Sequence, residues 1–255
     1  MGDVKAKTIV IASGVWPRRK MRRMRGPLMT PAGPVELDES VPLSVEWTPV
    51  SISGVSMRAR RTFPPVILLA KPVDCVTSRR PDGGSQTVFQ LLEYCEFVDE
   101  LSPIGRLDRD TTGVLLFTLD GQLLHRLTHP KRGIERRYEA TLSAPLPDGA
   151  AEQLMLGEVE LRDGHNPRPI ALTCPEPLFA RVTLTEGKYH EVRRMFAAVG
   201  SDVVALDRTH YAGVTADGLE EGEWRRLDEP EVLALYESVG LTPTADFLQV
   251  ELVHG

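Results

Sequence analysis

Residues 105–118 read Gly-Arg-Leu-Asp-Arg-Asp-Thr-Thr-Gly-Val-Leu-Leu-Phe-Thr, a glycine-bounded polar turn that runs directly into an apolar segment. The apolar residues 114–117 predict a buried strand. The turn sets two carboxylates, Asp108 and Asp110, beside two guanidinium groups. Charges this close are costly to bury unless they pair or take part in chemistry. Because an isolated Asp-Arg-Asp tripeptide is more often a salt-bridged turn than an active site, its meaning depends on the rest of the chain.

The composition is that of a soluble globular protein. The chain has 255 residues, 42% hydrophobic and 26% charged, which suffices for one large and one small domain. No run approaches a membrane span, and no N-terminal signal peptide is visible. The cysteines Cys75, Cys95 and Cys174 lie far apart, with neither a disulfide framework nor a zinc-binding pattern. We therefore expect a cytoplasmic protein.

The charge is distributed unevenly along the chain. The net charge is −6, but residues 1–80 hold 14 Lys/Arg against 6 Asp/Glu, and the remainder holds 16 against 30. Six cations fall within residues 18–25, so a polyanion is expected to dock at the N-terminal end. This run is either a helix laid along phosphates or a disordered basic arm. Its candidate RNA-binding residues are Arg18, Arg19, Arg22 and Arg23.

The predicted elements mix strands and helices without a regular βαβ alternation. A buried strand is expected at 66–70, a helix capped by Asp120 and ended by Pro130, an alternating strand at 137–142 and a strand at 203–206. A helix after Gly187 would bury Val192, Met195, Phe196 and Val199. We predict an α+β fold with a mixed or antiparallel central sheet and flanking helices.

Four segments are expected along the chain. Residues 1–50 form a small basic domain, residues 51–65 a Ser/Gly-containing linker, residues 66–245 the main domain and residues 246–255 a tail. The N-terminal segment resembles a degenerate S4-type RNA-binding domain, because an apolar helix and a basic helix precede a turn-rich hairpin. The V-x-V-N-G end that is usual for that domain is replaced here by residues 28–33.

Three segments carry residues suited to chemistry. Asp108 lies beside Arg106 in the turn, Tyr138 lies on a strand after two arginines, and residues 188–194 supply Lys188, Tyr189, His190, Arg193 and Arg194. An aspartate among arginines stays ionised and suits the role of nucleophile or base. Cations and tyrosines around it suit an anionic substrate that stacks, such as a nucleotide in RNA.

The order of these motifs resembles that of the RsuA/RluB/RluE/RluF family of rRNA pseudouridine synthases. Gly105–Gly113 is similar to the family's catalytic motif, and Lys71-Pro72 to the N-K-P motif that opens its catalytic domain. Arg136–Tyr138 resembles its K-x-Y motif. Residues 186–195 resemble its E-G-x-x-x-Q-V-[RK]-R-M helix. Together the motifs span about residues 66–227, so the pseudouridine synthase fold is expected there.

The resemblance implies the isomerisation of a uridine in RNA to pseudouridine. The N1–C1′ bond breaks, the base turns, and it rejoins the ribose through C5. Asp108 corresponds to the essential aspartate, which either attacks C1′ or removes a sugar proton to give a glycal; the residues leave both routes open. The reaction involves no redox change and no hydrolysis, so no metal and no cofactor are expected.

The resemblance also implies roles for individual side chains. Tyr138 stacks on the base, although by pattern alone it is an ordinary core tyrosine. Arg193 pairs with Asp108, although by pattern alone it lies on a solvated helix face. Arg106 fills the gap left by the flipped uridine. Asp110 is expected to brace the turn with Thr111 or Thr112. The further candidates for substrate or RNA binding are Lys71, Lys188, His190 and Arg194.

Two positions depart from the family pattern, and one pair points to a branch. Ala70 replaces the Asn of N-K-P, and Glu191 replaces the Gln of the helix motif, adding a negative charge near the site. Tyr189-His190, where the large-subunit branches carry Asn-Arg, favours the RsuA branch and uridine 516 of 16S rRNA.

Three alternatives to this function stay open. They are a 23S rRNA synthase of the same family, a non-catalytic RNA-binding or ribosome-assembly factor on the same fold, and, least favoured, glycosidic hydrolysis by paired carboxylates. The expected partner is ribosomal RNA or a ribosomal-subunit assembly intermediate. We expect a monomer.

Overall fold

The computed structural model describes residues 3–13, 26–95 and 97–253. The chain divides into two compact units, one formed by residues up to 64 together with those from 243 onward, and one formed by residues 65–242. The basic residues Arg18, Arg19, Arg22 and Arg23 lie outside the described residues. Within the described ranges, no helix has both the length and the hydropathy needed to cross a membrane.

The elements are short and alternate irregularly between strand and helix. The helices are α1 Ala6–Ala12, α2 Val88–Leu91, α3 Gly121–Thr128, α4 Ala150–Leu156, α5 Glu191–Ala198 and α6 Glu229–Ser238. The strands are β1 Val4–Lys5, β2 Leu28–Thr30, β3 Gly33–Val35, β4 Ser40–Val41, β5 Thr48–Ile52, β6 Val55–Thr62, β7 Val66–Lys71, β8 Cys75–Val76, β9 Gln86–Thr87, β10 Ser102–Ile104, β11 Thr111–Thr118, β12 Arg136–Leu142, β13 Ala171–Glu176, β14 Phe179–Leu184, β15 Val203–Tyr211, β16 Val214–Thr215, β17 Trp224–Arg226 and β18 Phe247–Leu252.

The larger unit is built on one mixed sheet. Its strand order is β13-β14-β12-β15-β11-β7-β17, with β10 added beside β11 and β16 beside β15. Among the pairings of this sheet in the described chain, only β11 with β15 is parallel. The sheet is thus mixed and mostly antiparallel, and the predicted α+β class with a mixed or antiparallel central sheet is confirmed.

The parallel pairing brings the start of β11 unusually close to β15. Gly113 lies opposite Arg208 in the register. A Cβ atom at Gly113 would lie 2.4 Å from the Arg208 carbonyl oxygen and 2.6 Å from Asp207 Oδ1, and the residue has a φ of +100°. Only glycine meets both conditions without strain. The glycine that ends the Gly105–Gly113 turn therefore lets β11 dock on β15 and fixes where the turn lies.

Local signals place two helices as predicted. The Asp120 carboxylate accepts hydrogen bonds from the Gln122 and Leu123 backbone N–H groups at the start of α3. Helix α5 buries Val192, Met195 and Phe196 against the face of the sheet that carries Tyr138. Because one face of α5 is committed to this core, its other face is left for Arg193 and Arg194.

The smaller unit has its own core. Its five-stranded sheet has the order β18-β6-β5-β2-β3, and β1 pairs with β4. Apolar residues of α1 and these strands pack together, among them Ile9, Leu28, Ile52 and Met57. The S4-type identity of this segment stays a prediction.

Two boundaries differ from those expected from the sequence. Residues 51–65, expected as a linker, contain the β5–β6 hairpin, in which Ser53 and Gly54 have φ values of 48° and 79°. A two-residue turn with positive φ at both positions is the favoured hairpin connection, so Ser-Gly marks a turn here. Residues 246–255, expected as a tail, contain β18, which pairs with β6 in antiparallel register. Glu251 of β18 pairs with Arg58 at 2.6 Å.

Candidate active site

A cavity of about 380 Å³ opens around Asp108. Its wall combines the Gly105–Gly113 turn, the strands β12 and β15, and the segment that leads into α5. The lining residues used below are Arg106, Asp108, Thr111, Arg136, Tyr138, Lys188, Tyr189, His190, Arg193, Arg208 and Tyr211. A volume of this size is within the usual range for small-ligand sites.

The buried side chain of Lys71 holds the Gly105–Gly113 turn in place through hydrogen bonds. Its ammonium group donates hydrogen bonds to the carbonyl oxygens of Pro72 at 2.9 Å, Thr111 at 2.8 Å and Arg109 at 3.3 Å. The side chain is fully buried, and this burial lowers the pKa of Lys71 to about 8. Lys71, predicted to bind substrate or RNA, is instead a structural brace, because its three donors are committed to backbone carbonyls.

The two carboxylates of the turn have different partners. Asp108, about one-third exposed, has His190 Nε2 at 3.2 Å from Oδ1. Arg193 pairs with Asp110 at 2.9 Å and also donates to the Asp110 and Val203 carbonyl oxygens. The predicted pairing of Arg193 with Asp108 is therefore wrong. The predicted brace of Asp110 by a threonine is likewise replaced by Arg193.

The backbone conformation just before α5 explains why the partners of Asp108 and Asp110 differ from those predicted. His190 has a φ of 48°, in the left-handed region, where it precedes the first residue of the helix. This conformation is uncommon outside glycine and places the imidazole against Asp108. Arg193 lies in the first turn of α5, where the Val203 carbonyl oxygen fixes one end of its guanidinium group. Neither feature has a signature in residue spacing.

Tyr138 serves both as a core residue and as a cavity wall. It is 9% exposed and packs with Ala140, Leu184 and Val192. It also lines the Asp108 cavity. The two interpretations of this tyrosine that the sequence left open are thus compatible.

Glu191 belongs to a charge network beside the cavity. It is 4% exposed, accepts a hydrogen bond from the Lys188 N–H at 3.0 Å and lies 2.9 Å from His165 Nε2. Lys188 Nζ lies 2.8 Å from His165 Nδ1. These contacts fit a neutral His165 that donates through Nε2 and accepts through Nδ1. The negative charge that Glu191 adds beside the cavity is therefore stabilised by hydrogen bonds from His165 and from the Lys188 N–H group.

The same residues include the donor types of a metal site. Ligand atoms of His165, Glu186 and Glu191 lie within 4.8 Å of one another. However, both ring nitrogens of His165 already have partners, and one of those partners is the cationic Lys188. An ammonium at that position opposes a second cation, so the geometry is that of an ion-pair network.

Three residues form the outer part of the site. Arg106 is exposed at the cavity rim. Tyr189, 75% exposed, stacks on His190 with ring centroids 3.8 Å apart and an angle of 17° between the planes. Arg194, predicted to bind RNA, pairs with Asp163 and donates to the Tyr189 carbonyl oxygen, so it holds this segment in place.

Two buried arginines were not predicted as part of the site. Arg136 donates to the carbonyl oxygens of Ile134, Thr185 and Glu186, and Arg208 to those of Val114 and Arg106. Both guanidinium groups lie about 5 Å from the centre of the Tyr211 ring. Burial raises the pKa of Tyr211. In the sequence Arg136 is noted only as the start of the motif before Tyr138. For Arg208 the missed signal was the length of β15, which sequence patterning predicted only as far as Leu206.

Residues 65–198 match the family model of RNA pseudouridylate synthase. The chain belongs to the RNA pseudouridylate synthase family.

Relatives that match over most of their length agree with this assignment. The chain is 37% identical over 215 residues to ribosomal small subunit pseudouridine synthase A of Escherichia coli strain K12, covering 84% of this chain and 91% of that protein. It is 38% identical over 210 residues to the protein of the same name from Vibrio cholerae, covering 80% and 90%. The predicted family and its RsuA branch are confirmed.

A solved structure of a pseudouridylate synthase shares the fold. It covers 91% of this chain and 98% of its own, with a TM-score of 0.62 and 32% sequence identity. The family match includes the Asp108 turn, Tyr138 and Arg193, whereas Arg208 lies beyond its end. The residues matched by the family model thus include Asp108, Tyr138 and Arg193 of the cavity, and the structure adds Arg208 to its lining.

Proposed function

We propose that this synthase converts a uridine of small-subunit ribosomal RNA to pseudouridine, with Asp108 as the essential carboxylate. The relatives named above are small-subunit enzymes, which supports 16S rRNA as the substrate. The expected target is uridine 516. A 23S rRNA target of the same family is the alternative, and a mapping experiment separates the two.

The position of Asp108 is the observation that carries this proposal. Its carboxylate lines a cavity whose other walls are Tyr138 and the cationic 188–193 segment. A flipped uridine needs an aromatic wall for its base and cations for its phosphates. Asp108 then either bonds to C1′ as the N1–C1′ bond breaks or takes the C2′ proton. In both routes the carboxylate must reach the ribose, so it must lie at an open wall.

Asp110 is the weaker candidate for the same role. It does not line the cavity, its side chain is 66% exposed, and Arg193 holds it at 2.9 Å. Its pairing with Arg193 instead links the turn to α5. Asp110→Asn is therefore a matched control for Asp108→Asn, since both changes remove one carboxylate charge from one turn.

The direct assay is tritium release from 16S rRNA that carries 5-tritiated uridine. The C5 hydrogen leaves when the base rejoins the ribose through C5, so release follows turnover. We expect release by the native enzyme, none above background with Asp108→Asn, and at least a tenth of the native rate with Asp110→Asn. Tritium release that survives Asp108→Asn would exclude Asp108 as the essential carboxylate and make Asp110 the next candidate.

Mapping of pseudouridine in rRNA from a deletion strain identifies the target. Loss of pseudouridine at position 516 alone supports the small-subunit assignment. Loss of a 23S site with the 16S site intact would transfer the activity to the large subunit. If no site is lost and the native enzyme releases no tritium, the protein is a non-catalytic RNA-binding or assembly factor.

A further inference from the structure

The cavity around Asp108 contains an unusual concentration of unpaired polar atoms. Within the described residues, three buried side-chain atoms have no hydrogen-bond partner: Thr111 Oγ1, Arg193 Nε and Arg208 Nη2. All three residues line this one cavity. Since buried donors without partners are rare and cost free energy, their concentration at a single site indicates groups that a ligand satisfies.

Arg208 is held rigidly in the floor of the cavity. It is 2% exposed. Its Nε donates to the Val114 carbonyl oxygen at 2.9 Å, and its Nη1 donates to the Arg106 carbonyl oxygen at 3.4 Å. Two of its three nitrogens are thus fixed by β11 and by the turn, and the planar guanidinium group fixes the direction of the third.

Arg136 provides an internal comparison. It lines the same cavity and is also buried, but its Nη1 donates to three carbonyl oxygens and its Nη2 to the Tyr211 hydroxyl. Its terminal nitrogens therefore have protein partners, whereas Arg208 Nη2 has none among the described residues. The difference assigns Arg136 to the structure of the site and leaves Arg208 free to contact a substrate.

Thr111 and Arg208 belong to the one parallel strand pair described above. Thr111 lies opposite Leu206, two residues before Arg208 on β15, and Tyr138 lies opposite Arg208 on the other side. A base in contact with Tyr138 therefore lies next to the Arg208 guanidinium. Thr111 is 1% exposed, and its hydroxyl lacks a partner in the described chain.

We propose that Arg208 Nη2 and Thr111 Oγ1 bind the carbonyl oxygens of the flipped uracil, and that Arg208 stabilises the negative charge of the detached base. This inference rests on the proposed function. When the N1–C1′ bond breaks, its electron pair stays on N1, and the uracil anion spreads the charge onto its two oxygens. C1′ is then bonded to the Asp108 carboxylate, or the sugar is a glycal and Asp108 holds the C2′ proton.

The anion exists only until C5 bonds to C1′. In the first route the Asp108 carboxylate leaves C1′ as the new bond forms; in the second the C2′ proton returns from Asp108. Transfer of the C5 proton to water and uptake of a proton from water at N1 then restore the conjugated uracil ring. A fixed cation beside the base lowers the barrier to the first bond breakage because it needs no reorganisation as charge develops. Arg208 is on this basis a catalytic residue and Thr111 a substrate-binding residue.

The test compares single-turnover cleavage of uridine and 5-fluorouridine at the target position of saturating RNA, measured as loss of the N1-linked nucleoside after a quench. Fluorine makes the base a better leaving group, so it needs less help from a cation. We expect Arg208→Gln to slow cleavage of uridine by about 100-fold, as for loss of one preorganised donor. The deficit should be at least tenfold smaller with 5-fluorouridine, and Arg208→Lys should recover part of the rate.

A second variant does not depend on the structural bonds of Arg208. Thr111→Val removes a buried hydroxyl that has no hydrogen-bond partner among the described residues, so the melting temperature should hold or rise. If the hydroxyl binds the base, cleavage of uridine should nevertheless fall by about tenfold. Loss of activity without loss of stability separates substrate binding from folding.

Two results would overturn the inference. One is equal slowing of both nucleosides by Arg208→Gln, as expected if the residue only supports the turn. The other is native activity in Thr111→Val, which decides the matter if Arg208→Gln fails to fold. A native enzyme that forms no pseudouridine in any rRNA would instead remove the proposed function itself.

Discussion

Substitution of Gly113 by alanine tests whether the close approach of β11 and β15 determines the site. The new Cβ would lie 2.4 Å from the Arg208 carbonyl oxygen, 2.6 Å from Asp207 Oδ1 and 2.9 Å from the Arg208 carbonyl carbon. Two of these atoms are backbone in a paired strand, so the overlap cannot be relieved by a rotamer change. The strands must separate, and Arg208 must move with them.

The cost has two parts. A φ of +100° costs a non-glycine residue about 1–2 kcal/mol, and overpacking of a well-packed interior costs about 1–3 kcal/mol. The sum of about 2–5 kcal/mol is a large share of a total stability of about 5–15 kcal/mol. For a unit of this size it corresponds to a fall in melting temperature of about 4–20 °C.

Scanning calorimetry is the suitable assay, because it resolves separate transitions if the two units unfold independently. Two matched controls divide the cost. Gly200→Ala carries a similar backbone term, at a φ of +89° with no atom within 4 Å, and Gly121→Ala carries neither term. We expect Gly121→Ala near native, Gly200→Ala lower by the backbone cost alone, and Gly113→Ala lowest, with pseudouridine formation impaired. Equal melting temperatures for Gly113→Ala and Gly200→Ala would refute the close parallel pairing.

Two further predictions concern Lys71 and the basic run within residues 18–25. The folded pKa of Lys71 is lowered from 10.5 to about 8 by burial, so between these values the unfolded chain binds more protons. The free energy of unfolding of the native protein should therefore rise relative to that of Lys71→Met as the pH rises from 8 to 10.5, by at most about 3 kcal/mol. Urea unfolding of both proteins at several pH values measures this difference. A decrease relative to Lys71→Met over the same range would contradict the assigned burial of Lys71. Replacement of Arg18, Arg19, Arg22 and Arg23 by alanine should weaken RNA binding and reduce its salt dependence, with turnover at saturating RNA largely kept; equal loss of both would exclude a docking role.

Short-range rules were sufficient where an element depends on its own residues. The Asp120 cap, the apolar stripe of α5 and the alternation of β12 are local, and each element formed as predicted. The order of the motifs also gave the family, because four motifs at the right intervals carry information that no single one has. Local chemistry and motif order were therefore enough for the fold class and for the choice of Asp108 as candidate.

Amino-acid composition gave the wrong prediction for residues 51–65, because two different local structures share this composition. Ser53-Gly54 fits a flexible linker and a two-residue hairpin equally well. The distinction lies in the alternation that follows, with Val55, Met57 and Ala59 facing inward on β6. Lys71 shows the converse problem, since a lysine after an apolar strand is usually exposed. Its burial depends on three carbonyl oxygens, two that the turn supplies from 38 and 40 residues away and one from the next residue, Pro72.

Tertiary geometry decides which side chain each of Asp108 and Asp110 contacts, and this assignment bears on the proposed mechanism. A guanidinium paired with Asp108 through two nitrogens would engage both carboxylate oxygens. The imidazole of His190 presents a single nitrogen to Asp108, 3.2 Å from Oδ1, so this contact leaves the other carboxylate oxygen unengaged. A carboxylate that bonds to C1′ or takes a sugar proton needs one such oxygen. Because Arg193 binds Asp110, it can hold the turn against α5 and still leave Asp108 an oxygen for the proposed reaction.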